Sequence, residues 1–134
     1  MFARNPYDII PEDVIYIGSA GWNIPRIHKG RFPAEGSQLA RYSARLNAAE
    51  INTSFYRPRA AGLHEPGGWR GLVYYRWHGS PRPYFSPYGS DRLGPLASAL
   101  SSVRVPAWAI FDNTGSGSAA GNALDLRALL DDNE

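Results

Sequence analysis

Three short stretches of the chain gather the residue types that move protons and hold charge. Residues 48–55, AAEINTSF, carry Glu50, Asn52 and Ser54 at alternate positions, so an extended chain sets all three on one face. Residues 72–77, LVYYRW, lead into His78, and Arg76 shares a face with that imidazole. Asp112, Asn113 and Thr114 follow the apolar run AWAIF directly. Together these supply a carboxylate, an amide, a guanidinium and an imidazole. The chemistry they suit is a polar site for an anionic or hydroxyl-rich ligand. Glu50 or His78 is the candidate general base. Arg76 is the candidate holder of negative charge, and Asn52 and Asn113 are candidates to orient a ligand through amide hydrogen bonds. The competing reading is a buried Glu–Arg pair with amide ties that only stabilises the sheet.

The segment DNTGSGS (112–118) stands between an apolar run and a helix-forming sequence. Glycine-rich backbone at a helix start favours anions through free N–H groups, which makes Gly115 and Gly117 candidate phosphate binders. A flexible turn is the alternative. The segment lacks the lysine of a Walker loop, and Gly115, Gly117 and Gly121 are spaced one residue too long for a dinucleotide fingerprint. Trp22, Trp77, Tyr84, Phe85 and Tyr88, with Arg82 interleaved, can stack bases or sugars, or can simply pack loops; Trp22 is kept as a ligand-binding candidate. His28, His64 and His78 are too scattered to make a metal site. No cysteine is present, so zinc–thiolate sites, iron–sulfur clusters and thiol nucleophiles are excluded. A carboxylate–histidine site from Glu50, His78 and Asp112 is the one minor metal alternative; the reading is no metal and no cofactor. No GxSxG elbow occurs.

These residues need elements to hold them. The chain has 134 residues, 43% hydrophobic and 19% charged, a globular composition of single-domain length. No apolar run suits a membrane span and no secretory leader is visible, so the expectation is a cytoplasmic domain with no membrane partner. Net charge is +2, too little to argue for nucleic acid, although residues 56–92 are arginine-rich and 105–134 acidic. Strands are expected at 14–18, 48–55, 72–77 and 107–111. A helix capped by Ser37 should run from Gln38 to Asn47, with Leu39, Tyr42 and Leu46 on one stripe. A second should cover Pro95 to Ser102, with Pro95 at the first helical position after Gly94. A third should run from Ser118 to Leu130, apolar at Ala120, Ala123, Leu124 and Leu130. Strands alternating with helices imply parallel βαβ units. Residues 57–71 (RPRAAGLHEPGGWRG) are too rich in proline and glycine to form a crossover helix. Strands two and three should therefore not be consecutive neighbours.

Four strings carry a family resemblance: YIGSAGW (16–22), RFPAEGSQLARYSARLNAAEINTSFYR (31–57), YYRWHGSPRPYFSPYG (74–89) and AWAIFDNTGSGSAAGNALDLRALL (107–130). In this order they resemble the YecE-like family, domain of unknown function 72. The resemblance implies a (β/α)8 TIM barrel of no settled activity. A TIM barrel is typically ~250 residues, so the family's central portion is absent, with the join around Pro58 to Glu65. The implied fold is an incomplete TIM-barrel-like α/β sheet. It has about four parallel strands in the spatial order third, fourth, first, second, with helices on one face. One truncated domain (1–134) then comprises an N-terminal block (1–58), a junction (59–71) and a C-terminal block (72–134). Barrel sites lie at the C-terminal strand ends, where the polar residues above fall. Loss of the opposite wall should leave Tyr75, Trp77, Trp108 and Ile110 partly exposed. A homodimer would restore eight strands; a poorly folding remnant and a stable monomer are its rivals. The expected function is that of a YecE-like protein not catalytic as a lone chain. The alternatives are a phosphate-, sugar- or nucleic-acid-binding site assembled in the homodimer, and a noncatalytic interaction module.

Overall fold

The computed structural model describes residues 14–51 and 71–132. Four strands, β1 (Ile15–Ala20), β2 (Ala48–Glu50), β3 (Val73–Trp77) and β4 (Ala107–Phe111), form one sheet in the order β2-β1-β4-β3, parallel throughout. That is the order expected, read from the other edge. Three helices, α1 (Gln38–Ser43), α2 (Ser90–Ser101) and α3 (Ser118–Asp132), complete a mixed α/β architecture. No closed barrel is formed by the described strands. Among the described residues no helix is long and apolar enough to cross a membrane. Residues 59–70 of the junction, which include His64, lie outside the described residues, as do Asn52 and Ser54.

The sheet has two unlike faces, set by the period of two. Ala107, Ala109 and Phe111 of β4 and Ile17 of β1 are buried in a core with Tyr42 and Leu46 from the α1 region, Leu93, Leu96 and Leu100 of α2, and Ala123, Leu124 and Leu126 of α3. Val73, Tyr75 and Trp77 pack against this same core. Tyr75 and Trp77 therefore face the helices and do not belong to an exposed barrel interior, a correction that follows from their opposite parity to Arg76. Ile110, on the other parity, is nonetheless 1% exposed. On the face away from the helices, Tyr16 and Trp108 stack at 4.6 Å between centroids.

Local boundaries depart from expectation for identifiable reasons. Ser37 caps α1 as its type predicts, its hydroxyl accepting from Ala40 N at 3.1 Å. The helix stops at Ser43 because Asn47 is needed elsewhere: its Oδ1 accepts from Ile17 N at 2.8 Å and its Nδ2 donates to Ile15 O at 3.0 Å. One side-chain amide thus occupies the edge of β1 just ahead of β2. The Tyr42 hydroxyl continues the seam, accepting from Ser19 N and donating to Ala48 O. Burial raises the Tyr42 pKa, with hydrogen bonds from Ser19 opposing the rise. A Cβ at Gly18 would run into the Ala48 carbonyl, so only glycine lets β2 come this close. Helix α2 begins at Ser90, a turn ahead of Pro95, which sits inside it. Burial of Leu93 at 2% exposure holds that extra turn, at the expense of one backbone hydrogen bond at the proline.

Candidate functional site

Five charged or titratable side chains meet over the face away from the helices, at the C-terminal ends of the strands. Arg76 lies at their centre. Its Nε donates to Glu50 Oε1 and Oε2 at 2.9 and 3.1 Å, and its Nη2 lies 2.8 Å from Glu50 Oε1 and 3.1 Å from Asp112 Oδ2. The Tyr74 hydroxyl donates to Glu50 Oε2 at 2.6 Å. His78 Nδ1 lies 2.8 Å from Asp112 Oδ2. Glu50 is on β2 and Arg76 on β3, the two edge strands of the sheet. Three strand spacings separate them, ~14 Å on a flat sheet. Glu50 and Arg76 therefore lean toward each other across the face, over β1 and β4.

Burial and charge fix what each group can do. Side-chain exposure is 18% for Arg76, 20% for Glu50 and 9% for Asp112. Burial alone would lower the Arg76 pKa, but the Glu50 hydrogen bonds and the charges of Asp112 and Glu50 together raise it. The guanidinium stays charged and neutralises one of the two carboxylates. Its Nη1 is buried with no hydrogen-bond partner among the described residues. Arg76 is therefore committed inward and is not placed to hold the charge of a ligand, because two carboxylates already claim its exposed edge. The same fact disposes of the carboxylate–histidine metal alternative: a guanidinium fills the space between Glu50 and Asp112. Among the described residues no His/Cys/Asp/Glu cluster could hold a metal ion.

Of the two candidate bases, Glu50 spends both oxygens on Arg76 and Tyr74. His78 is the more available, at 29% side-chain exposure. An ionised carboxylate only accepts, so Asp112 selects the Nδ1–H tautomer and leaves Nε2 of a neutral imidazole as the acceptor.

The remaining candidates go elsewhere. Asn113 is fully buried; its Nδ2 donates to Ser86 O and Asn122 Oδ1, both at 2.9 Å. Asn122 in turn bonds the Tyr88 backbone through N–H and carbonyl. These amides tie the loop before α2 to α3, and Asn113 is structural where the sequence suggested a ligand-orienting role. Gly115 N–H donates to Tyr84 O at 2.8 Å and Gly117 N–H to Thr114 O at 3.1 Å. Both amides are spent within the protein, so the expected phosphate cradle is not formed by them. Thr114 lines a small open hollow with Ser19, Asn23 and Gly117, apart from the charge cluster. Trp22 is 43% exposed, and its carbonyl accepts from Gln38 Nε2. Asn52 lies outside the described residues.

One participant escaped the sequence reading: Tyr74, whose signal is the period of two from Arg76 and His78. Tyr84 is among the aromatic candidates, but its left-handed backbone, φ +67°, is not foreseeable from residue type.

No protein-family model, no curated protein and no solved structure matches this chain.

Proposed function

We propose that this chain is a partial YecE-like (β/α) protein that binds a hydroxyl- or phosphate-bearing ligand at the C-terminal edge of its sheet. His78 is the proton acceptor, and turnover does not occur in the lone chain. The observation that carries the reading is the Asp112–His78 pair at 2.8 Å, with Nε2 left to face a ligand hydroxyl or a water. Glu50 and Arg76 serve the pair indirectly: Arg76 bonds the same Oδ2 that holds His78 and fixes the carboxylate in place. A noncatalytic interaction module is the weaker reading, because an apolar docking surface does not call for an oriented imidazole.

Turnover belongs to an assembly. Four strands make half of an eight-strand ring, and the sheet ends in β2 and β3. A second copy would supply the opposite wall. A cytoplasmic setting belongs to the same reading.

Titration with inorganic phosphate and ribose 5-phosphate, following the His78 ring nitrogens by NMR, tests the proposal. The expected result is a shift of Nε2 on ligand addition while Nδ1 remains protonated, with the tautomer preference lost in Asp112→Asn. A His78 signal indifferent to both ligands overturns it.

A further inference from the structure

The loop from Gly79 to Tyr88 presents exposed aromatic rings on an unusually well-fixed backbone. Tyr84 and Phe85 are 47% and 42% exposed. Tyr84 holds a left-handed backbone, which a non-glycine residue keeps only where the surroundings over-determine it. They do so here. Tyr84 N–H donates to His78 O, and its carbonyl accepts from Gly115 N. Ser116 Oγ donates to Phe85 O at 2.6 Å, and Asn113 Nδ2 takes Ser86 O. The Tyr88 hydroxyl accepts from Gly79 N at 2.7 Å. A Cβ at Gly115 would meet both the Phe85 ring and the Tyr84 carbonyl at 2.8 Å, so the glycine is the seat on which the two residues rest.

The position and charge of this loop point to a ligand. The Tyr84 ring packs edge-on against the His78 imidazole, 5.8 Å between centroids, so the rings and the proton acceptor share one edge of the sheet. The Arg82 guanidinium lies 4.5 Å over the Phe85 ring, and Arg92, also exposed, donates to Ser80 Oγ at 3.3 Å. One exposed guanidinium thus lies on an exposed ring, and a second is tied to the same loop through Ser80. Burying a ring would satisfy the hydrophobic effect more cheaply than fixing it in solvent on a strained backbone. Stacked aromatics beside arginine are the combination that takes a base through its π-face and a phosphate through bidentate hydrogen bonds.

We propose that the Gly79–Tyr88 loop is a nucleotide platform: Tyr84 stacks a nucleobase, and Arg82 and Arg92 meet its phosphate. The inference rests on the His78 edge being a ligand site, and it names that ligand's class. A free nucleotide and a nucleic-acid strand share this chemistry.

Binding of AMP, ribose 5-phosphate and decathymidylate to the full chain, measured by calorimetry, tests it. AMP binds about tenfold more tightly than ribose 5-phosphate, the increment of one stacked base. Tyr84→Asn, which tolerates the left-handed backbone, abolishes that advantage. Phe85→Leu is the second variant; it unseats Arg82 and weakens both phosphates. A Tm measurement on each variant separates lost binding from lost folding. Decathymidylate binding whose salt dependence drops by about one unit of slope in Arg82→Gln assigns the site to strands. AMP bound as tightly as the decamer assigns it to free nucleotides. If ribose 5-phosphate moves the His78 signal and AMP gains nothing over it, the platform is refuted and the His78 site stands. If no phosphate compound binds, both fall.

Discussion

The two faces of one sheet divide the labour of this molecule. Toward the helices, Ile17, Ala109, Phe111 and their neighbours are dry and close-packed, with Phe111 and Ala109 at 0% exposure. Toward the other side, the same strands present Arg76, Glu50 and Asp112 in a charge network. Adjacent residues of β3 illustrate the split: Tyr75 packs on the core, Arg76 bonds two carboxylates, and Trp77 returns to the core against Tyr88. A strand that alternates sides can be held by one face while the other carries polar groups whose mutual pairing adds little net stability. Stability and chemistry are thereby separable by mutation as long as the charges of the polar face stay balanced.

The largest test of that separation is on the helix face. Phe111→Ala should cost about 3–5 kcal/mol by cavity formation, read in a urea unfolding curve. A loss under about 1 kcal/mol would mean that the core does not depend on β4 packing. Next is Arg76→Ala, which leaves Glu50 and Asp112 facing each other without a cation. About 2–4 kcal/mol is expected, at the lower part of the buried-pair range because the groups are partly exposed. Arg76→Met combined with Glu50→Gln should recover part of that loss, since the penalty is an uncompensated charge and not lost packing.

Tyr42→Phe probes the seam where the faces meet. It leaves Ser19 N–H and Ala48 C=O without the hydroxyl and should cost about 1–3 kcal/mol. The same residue gives a pH dependence. Burial raises its folded-state pKa above 10.0, so the unfolded chain releases the proton first. Its contribution is fully present below pH 10.0 and is lost as pH rises through the folded-state value. Tyr88, raised for the same cause, adds to the decline. Stability measured across the alkaline limb should fall less steeply in Tyr42→Phe. The smallest effect belongs to the exposed Arg31–Asp125 pair at 2.9 Å: Asp125→Asn should change stability by under about 1 kcal/mol, and less in high salt.

Much of this arrangement was legible in the residues, for reasons that also explain the rest. Short apolar runs ending in polar residues gave away all four strands, and the proline–glycine content of 57–71 already forbade β2 and β3 from being consecutive neighbours. Period-two spacing put Arg76 and His78 on one face, and Glu50 joined them. What was illegible depended on partners far along the chain. Asn113 is buried because Asn122 and Ser86 meet it, and no local pattern announces that. Gly115 loses its free N–H to the Tyr84 carbonyl, supplied by a loop 31 positions earlier. The start of α2 was hidden because Gly94-Pro95 imitates a helix entrance, whereas the real one at Gly89 has no side-chain cap to betray it.

The Asn47 amide has a further consequence. Its oxygen and nitrogen engage Ile17 N and Ile15 O, the two groups that a neighbouring parallel strand would bind. A single side chain therefore stands in for a peptide unit and closes the flank of β1 where the short β2 does not reach. Without it, that stretch would offer a free ladder to any extended chain nearby. Asn47→Ala should therefore uncover an unpaired strand edge, read as faster aggregation at high concentration before any change in the fold.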